Sequence, residues 1–224
     1  MKNNLTFYKI SSAYRVVNFL VDTLEKHLNN GKRVLWLVPG GSSITIAVAV
    51  SKALRAPLDA LTISLTDERW GPVGHSDSNW QRLKDAGFES RGARLVPVLN
   101  GQDMDRTTRE FDHRLAVELK AAEFSLGLFG LGDDGHTAGI LPGSPAVNAK
   151  TLTAGYDAGQ YKRITTTPKA ISLLDEAVVY AVGEEKHEAI DNLDQDLTIA
   201  EQPAQALKRV SKVSIFNDYK GEKL

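Results

Sequence analysis

The sequence of 224 residues predicts an α/β fold, three-layer, with a largely parallel sheet and helices on both faces. Three observations predict it. Apolar runs of strand length alternate with longer segments of helical periodicity along the chain. Several of those runs are apolar at nearly every position, as strands buried on both sides are. The runs also end abruptly in glycine-containing turns. A composition 42% hydrophobic and 25% charged suffices for a substantial core, and no Pro/Gly/Ser stretch is long enough to link two domains. Residues 1–224 are therefore expected to form one domain.

The first amphipathic segment places Ala13, Val16, Val17, Leu20, Val21, Leu24 and Leu28 at helical spacing, with Ser11 or Ser12 as N-cap and Gly31 as stop. Arg33 to Val38 reads as a strand, Ser42 to about Leu54 as a helix, and Leu61 to Leu65 as a second strand. Further strands are expected near Leu95, at Ser125 to Gly130, at Ala177 to Val182 and at Val213 to Phe216. Helical segments are expected near Arg106 to Lys120, Glu184 to Leu193 and Pro203 to Val210. Thr151 to Thr167 is less regular and reads as an excursion or an antiparallel edge.

Several function classes lose their physical basis in the composition. A formal net charge of -1 gives no general attraction to nucleic acid or an anionic membrane, although a local basic pocket stays open. Without cysteine there are no disulfides, thiolate metal sites or cysteine nucleophiles. The segment MKNNLTFYKISS lacks an apolar core of signal-peptide length, and no run approaches the roughly 18 apolar residues of a membrane span. A cytoplasmic protein without membrane or nucleic-acid partners is the expectation.

The most informative stretch is LGLFGLGDDGHTAGILPGS, Leu126 to Ser144. Leu126, Leu128 and Phe129 read as a buried strand, and Gly130, Gly132 and Gly135 allow a sharp exit from the sheet. Asp133, Asp134 and His136 are thereby delivered to a strand's carboxyl end, the edge where open α/β sheets bind ligands. A histidine beside carboxylates can take a proton from water near neutral pH, since its unperturbed pKa is about 6.5. Ordinary turn chemistry would explain an isolated Asp-Gly-His equally well.

Other positions supply the company that motif needs. Pro39-Gly40-Gly41-Ser42-Ser43 lies between a strand and a helix, where free backbone N–H groups and the helix dipole favour an anion such as phosphate; a serine cap is the competing account. Neither a Walker loop nor a G-x-G-x-x-G fingerprint follows this strand, so ATP and NAD are poor candidates. Asp67 and Arg69 of TDERW emerge beyond the next strand, Arg69 offering a donor fork for phosphate or carboxylate and Asp67 an acceptor for sugar hydroxyls or a partner for a base. Ser78 and Asn79 read as helix-start residues, Asn79 with a secondary role in supporting the neighbouring loop. Arg163 and Lys186 add two cations that could help encircle a dianion. Histidine spacing shows no metal-site pattern, and no metal or cofactor is expected.

Taken in order, Pro39-Gly40-Gly41-Ser42, TDERW, HSDSNW, GLGDDGHTAGILPGS, RITTTP and VGEEK resemble the 6-phosphogluconolactonases of the glucosamine-6-phosphate isomerase-like group over nearly the whole chain. The resemblance implies a three-layer α/β fold and hydrolysis of 6-phosphoglucono-δ-lactone to 6-phosphogluconate in the oxidative pentose phosphate pathway. It makes His136 the general base, and the mechanism this chemistry suggests has Asp134 orient the imidazole. Asp67 becomes a polar site residue, Arg69 and Lys186 become phosphate ligands, and Arg163 a further anion contact. The small-molecule sugar-phosphate lactone is then the partner implied; the oligomeric state stays open, a monomer being compatible. One departure is Gly139-Ile140-Leu141-Pro142 where many relatives carry Ser-Leu-Phe-Pro. The competing expectations are an isomerase or deaminase on the same scaffold, with Asp67 moving protons, and a non-catalytic sugar-phosphate sensor.

Overall fold

A computed structural model describes residues 4–224. In chain order it contains β1 (Leu5–Lys9), α1 (Tyr14–Asn29), β2 (Val34–Val38), α2 (Ile44–Ala53), β3 (Leu61–Leu65), β4 (Asp67–Arg69), α3 (Asn79–Asp85), β5 (Arg94–Val96), α4 (Met104–Ala121) and β6 (Phe124–Gly130). There follow β7 (Thr153–Asp157), β8 (Lys162–Thr166), α5 (Pro168–Ile171), β9 (Glu176–Ala181), α6 (His187–Asn192), β10 (Lys212–Asn217) and β11 (Glu222–Lys223). Eight strands form one sheet in the order β11-β1-β10-β9-β6-β2-β3-β5, and all its pairings are parallel.

The predicted apolar runs become the centre of this sheet. All five residues of β2 are buried, as are Leu126, Leu128 and Phe129 of β6, because helices cover both faces. The first predicted helix buries Val16, Val17, Leu20, Leu24 and Leu28, and Gly31 follows it with φ +72°. Its N-cap position is taken by Ala13, while Ser12 accepts from the Tyr14 backbone N–H at 3.2 Å.

Strand order fixes where the site can be. Crossovers β1-α1-β2, β2-α2-β3 and β3-α3-β5 all run toward the β5 edge, and α1 packs on α2 and α2 on α3. Right-handed connections place these helices on one face and put α4 and α6, on the returning half, on the other. The chain therefore leaves the adjacent strands β2 and β6 in opposite directions. That is a switch point, where the diverging loops open a crevice at the carboxyl ends of the strands.

Several local expectations change. Asp67–Arg69, expected only to emerge beyond β3, forms a strand of its own, β4, the edge of a small antiparallel sheet ordered β4-β8-β7. The Thr151–Thr167 region, expected as an excursion or an antiparallel edge, does supply the other two antiparallel strands, outside the main sheet. Pro203–Arg209 forms a 3-10 helix rather than an α-helix, and Glu184–Lys186 is a 3-10 turn before α6. Gly41–Ser43 is likewise a 3-10 turn before α2. Each begins after or at a glycine or proline that interrupts regular α-helical bonding. Strands β1 and β11 carry too few buried side chains to show a full apolar run; pairing with β10 and β1 defines them.

Candidate active site

The loops after β2 and β6 meet β4, β8 and the turn before α6 around a cleft of about 320 Å³. Gly40, Gly41, Ser42, Asp67, Arg69, His136, Arg163 and Lys186 all line it, so residues spread over 147 positions of sequence, from 40 to 186, share one cavity. Asp134 stands behind His136 and does not line the cleft. Two larger depressions, of about 560 and 620 Å³, share none of these residues and contain no histidine.

His136 is set by its own turn. Its backbone N–H donates to Asp134 Oδ1 at 2.9 Å, and the same oxygen lies 2.6 Å from His136 Nδ1. The His136 carbonyl in turn accepts from Gly132 N–H at 2.8 Å. A Cβ at Gly132 would stand 2.0 Å from Nδ1, so only glycine lets the ring fold against the turn. With Nδ1–H directed at a carboxylate, Nε2 is the nitrogen left to accept a proton. Burial would raise the Asp134 carboxyl, but the bonds and charge from His136 outweigh it and hold the group below its ordinary value.

Across the cleft, Asp67 is 6% exposed and burial raises its pKa, opposed by the Arg163 charge, the Thr66 hydroxyl, Arg69 and His136. Arg163 Nη1 lies 3.6 Å from Asp67 Oδ2. The antiparallel register pairs Arg69 with Arg163 and Asp67 with Thr165, so a single ribbon presents both cations and the acid. Arg69 also stacks its guanidinium 4.4 Å from the Tyr161 ring centre. The Nε atoms of Arg69 and Arg163 and the hydroxyl of Ser43 are buried without a partner. Unpaired donors beside a cleft suit an anionic, oxygen-rich ligand.

The helix-start reading of Ser78 holds: its hydroxyl accepts from Gln81 N–H at 3.1 Å. Neither Ser42 nor Ser43 makes a side-chain cap at α2, which leaves that turn's polar groups facing the cleft. Asn79 does more than support a loop, lining the cleft and donating to the Asp67 carbonyl at 3.0 Å.

Glu68 is the residue the sequence reading passed over. It is fully buried and accepts from Ser78 Oγ and from the backbone N–H groups of Arg69, Asn79 and Trp80. Burial raises its pKa against those four bonds. It ties β4 to the start of α3, placing Asn79 beside Asp67. Its signal was the strand alternation of Asp67-Glu68-Arg69, which turns Glu68 away from the cleft and into the protein.

Among the described residues, no group of three or more His, Asp or Glu side chains is arranged to hold a metal ion, and no helix is long and apolar enough to cross a membrane.

This fold and cleft define a parallel α/β protein with a cation-lined cleft at the carboxyl ends of its strands. The family described as glucosamine-6-phosphate isomerases/6-phosphogluconolactonase matches residues 9–215, and the chain belongs to it. Similar curated proteins include the 6-phosphogluconolactonase of Pseudomonas putida, 34% identical over 51% of this chain and 46% of that protein. That of Caulobacter vibrioides is 25% identical over 81% of this chain and 83% of that protein. The matches thus span about half the length of the first Pseudomonas relatives. Among solved structures, a 6-phosphogluconolactonase from Shewanella baltica superposes with a TM-score of 0.82 at 20% identity, covering 95% of this chain and 97% of that one. The Trypanosoma brucei enzyme gives 0.77 at 20% identity, covering 95% of each chain. These two likenesses establish the shared fold.

Proposed function

We propose that this protein hydrolyses 6-phospho-D-glucono-1,5-lactone to 6-phospho-D-gluconate in the oxidative pentose phosphate pathway, with His136 as general base and no metal. The observation that carries the reading is the Asp134-braced His136 opposite Arg69, Arg163 and Lys186 in one cleft. The relatives named above, all 6-phosphogluconolactonases, support the choice within the family.

A lactone carbonyl is already electrophilic, so its opening needs one positioned base and stabilisation of developing charge. Water attacks C1 while His136 Nε2 takes its proton. The tetrahedral intermediate then collapses, the C1 to ring-oxygen bond breaks, and the imidazolium protonates the departing oxygen. Asp134 holds the ring in register and stabilises its charged form. Arg69, Lys186 and the Gly40-Gly41-Ser42 turn bind the phosphate, and Arg163 both contacts the anion and restrains Asp67. Asp67 accepts from sugar hydroxyls. Phosphate binding far from C1 becomes orientation at the reacting carbon. All the groups named here come from one chain.

Acid release from freshly generated 6-phosphogluconolactone, corrected for spontaneous opening, tests the proposal. Release above background is expected, and none would overturn it. The family's other reaction is checked with glucosamine 6-phosphate, from which no ammonia should form.

A further inference from the structure

We infer that Gln202, with Gln205, is a positioning residue that ties the helix following Lys186 to the turn carrying His136, and so sets the preference for a phosphorylated lactone. The inference rests on the lactonase reading. Its basis is a pair of buried amides that no step of the mechanism uses. Gln202 is 2% exposed and Gln205 5%. Buried amides are costly unless satisfied, so their partners reveal what they hold.

Gln202 Nε2 donates to the Ala189 carbonyl at 2.7 Å, and Gln205 Nε2 donates to the Asn192 carbonyl at 2.7 Å and to Gln202 Oε1. Both carbonyls belong to α6, which begins immediately after Lys186. The pair therefore grips this short helix at two points. On its other side the same segment holds the His136 turn. Ala204 N–H donates to the Gly135 carbonyl at 3.0 Å. Gly135, at φ +77°, lies so close to Gln202 that a Cβ there would stand 2.4 Å from the Gln202 Cγ. Gly143 N–H, farther along the loop after His136, donates to the Ala200 carbonyl at 2.9 Å.

Lys186 and His136 thus reach the cleft from two separate chain segments joined through residues 202–205, whose side-chain amides hold α6 and whose Ala204 N–H and Gln202 stem hold Gly135. Remote phosphate binding accelerates chemistry only when its anchor is rigidly placed against the base. A looser tie leaves phosphate able to bind but unable to aim C1 at the attacking water. A lactone lacking phosphate gains nothing from the tie, because it never engages Lys186.

The test compares kcat/KM for 6-phosphogluconolactone and glucono-δ-lactone in the parent, Gln202→Met and Gln205→Met. Methionine keeps the side-chain length and its packing while removing the donor to α6. The preference for the phosphorylated lactone should fall by about tenfold in Gln202→Met, mainly through kcat, because orientation rather than binding is lost. Gln205→Met should reduce it by a smaller factor, and it carries the test if Gln202→Met does not fold. Activity on glucono-δ-lactone and the Kd for 6-phosphogluconate should change by less than about twofold, since neither depends on orienting C1. An unchanged preference, or an equal loss on both lactones, overturns the tie while the lactonase reading stands. A parent active on neither lactone overturns both.

Discussion

Asp134 holds His136 twice through one oxygen, its Oδ1 lying 2.6 Å from Nδ1 and 2.9 Å from the His136 backbone nitrogen. Ring and backbone are thus fixed by the same carboxylate. If His136 Nε2 is the base, His136→Asn should lower kcat by about 10²- to 10⁴-fold, the range for removing a general acid-base group. Affinity for 6-phosphogluconate should change far less. Steady-state kinetics with calorimetry and circular dichroism check this, and near-normal turnover by a folded variant would move the base role elsewhere.

Replacing Asp134 by Asn retains shape but weakens acceptance from Nδ1–H and allows the other tautomer. A kcat loss of about 10- to 10³-fold is expected, less than for a fully buried orienting carboxylate because Asp134 is half-exposed. The folded carboxyl is held below its ordinary value of 3.8. Its contribution to stability is therefore present above that value and lost as pH falls through the folded one. The stability difference between parent and Asp134→Asn, measured by urea unfolding, should be small at neutral pH and shrink further in acid. A difference that grows in acid would contradict the assigned ion-pair geometry.

Arg163→Ala would leave Asp67 buried beside only distant positive charge. Its pKa, already raised by burial, should rise further once its strongest opposing charge is gone. A raised carboxyl stabilises fully below its unfolded value and loses that contribution as pH rises through the folded one. The variant should thus be less stable by about 3 kcal/mol at neutral pH, the low end for an unpaired buried charge because 3.6 Å is a long contact. The gap should narrow toward pH 4, where Asp67 is increasingly neutral. Chemical denaturation at several pH values decides it, and a pH-independent gap would remove the pair from the account.

Lys186→Ala should weaken binding of 6-phosphogluconate by about 10- to 100-fold, corresponding to one charge-assisted contact of roughly 1.5–3 kcal/mol. Turnover of glucono-δ-lactone should be nearly unaffected. Unchanged product binding by calorimetry would remove Lys186 from the phosphate site.

The sheet's central strands and the His136 turn were legible because their determinants are local. Uninterrupted apolar runs specify strands covered on both faces, and glycine beside Asp and His specifies a tight turn at a strand end. Strands β1, β4 and β11 were not legible as such, since partners far along the chain supply their hydrogen bonds, whereas β7 and β8 were legible only as an irregular excursion or antiparallel edge. Asp67-Glu68-Arg69 shows the difference: sequence marked a charged cluster after a strand, but antiparallel pairing with β8 separates Asp67 and Arg69 from buried Glu68.

By itself, then, the sequence determined the layered α/β class, the glycine turns and the residue types gathered for the site. The tertiary structure decided that Gly40, Asp67, His136, Arg163 and Lys186 share one cleft, and that Glu68, Asn79 and Gln202 support it. The physical reason is range. Periodicity and turn chemistry act over a few residues, whereas burial and convergence depend on which strands pair and where the crossovers reverse.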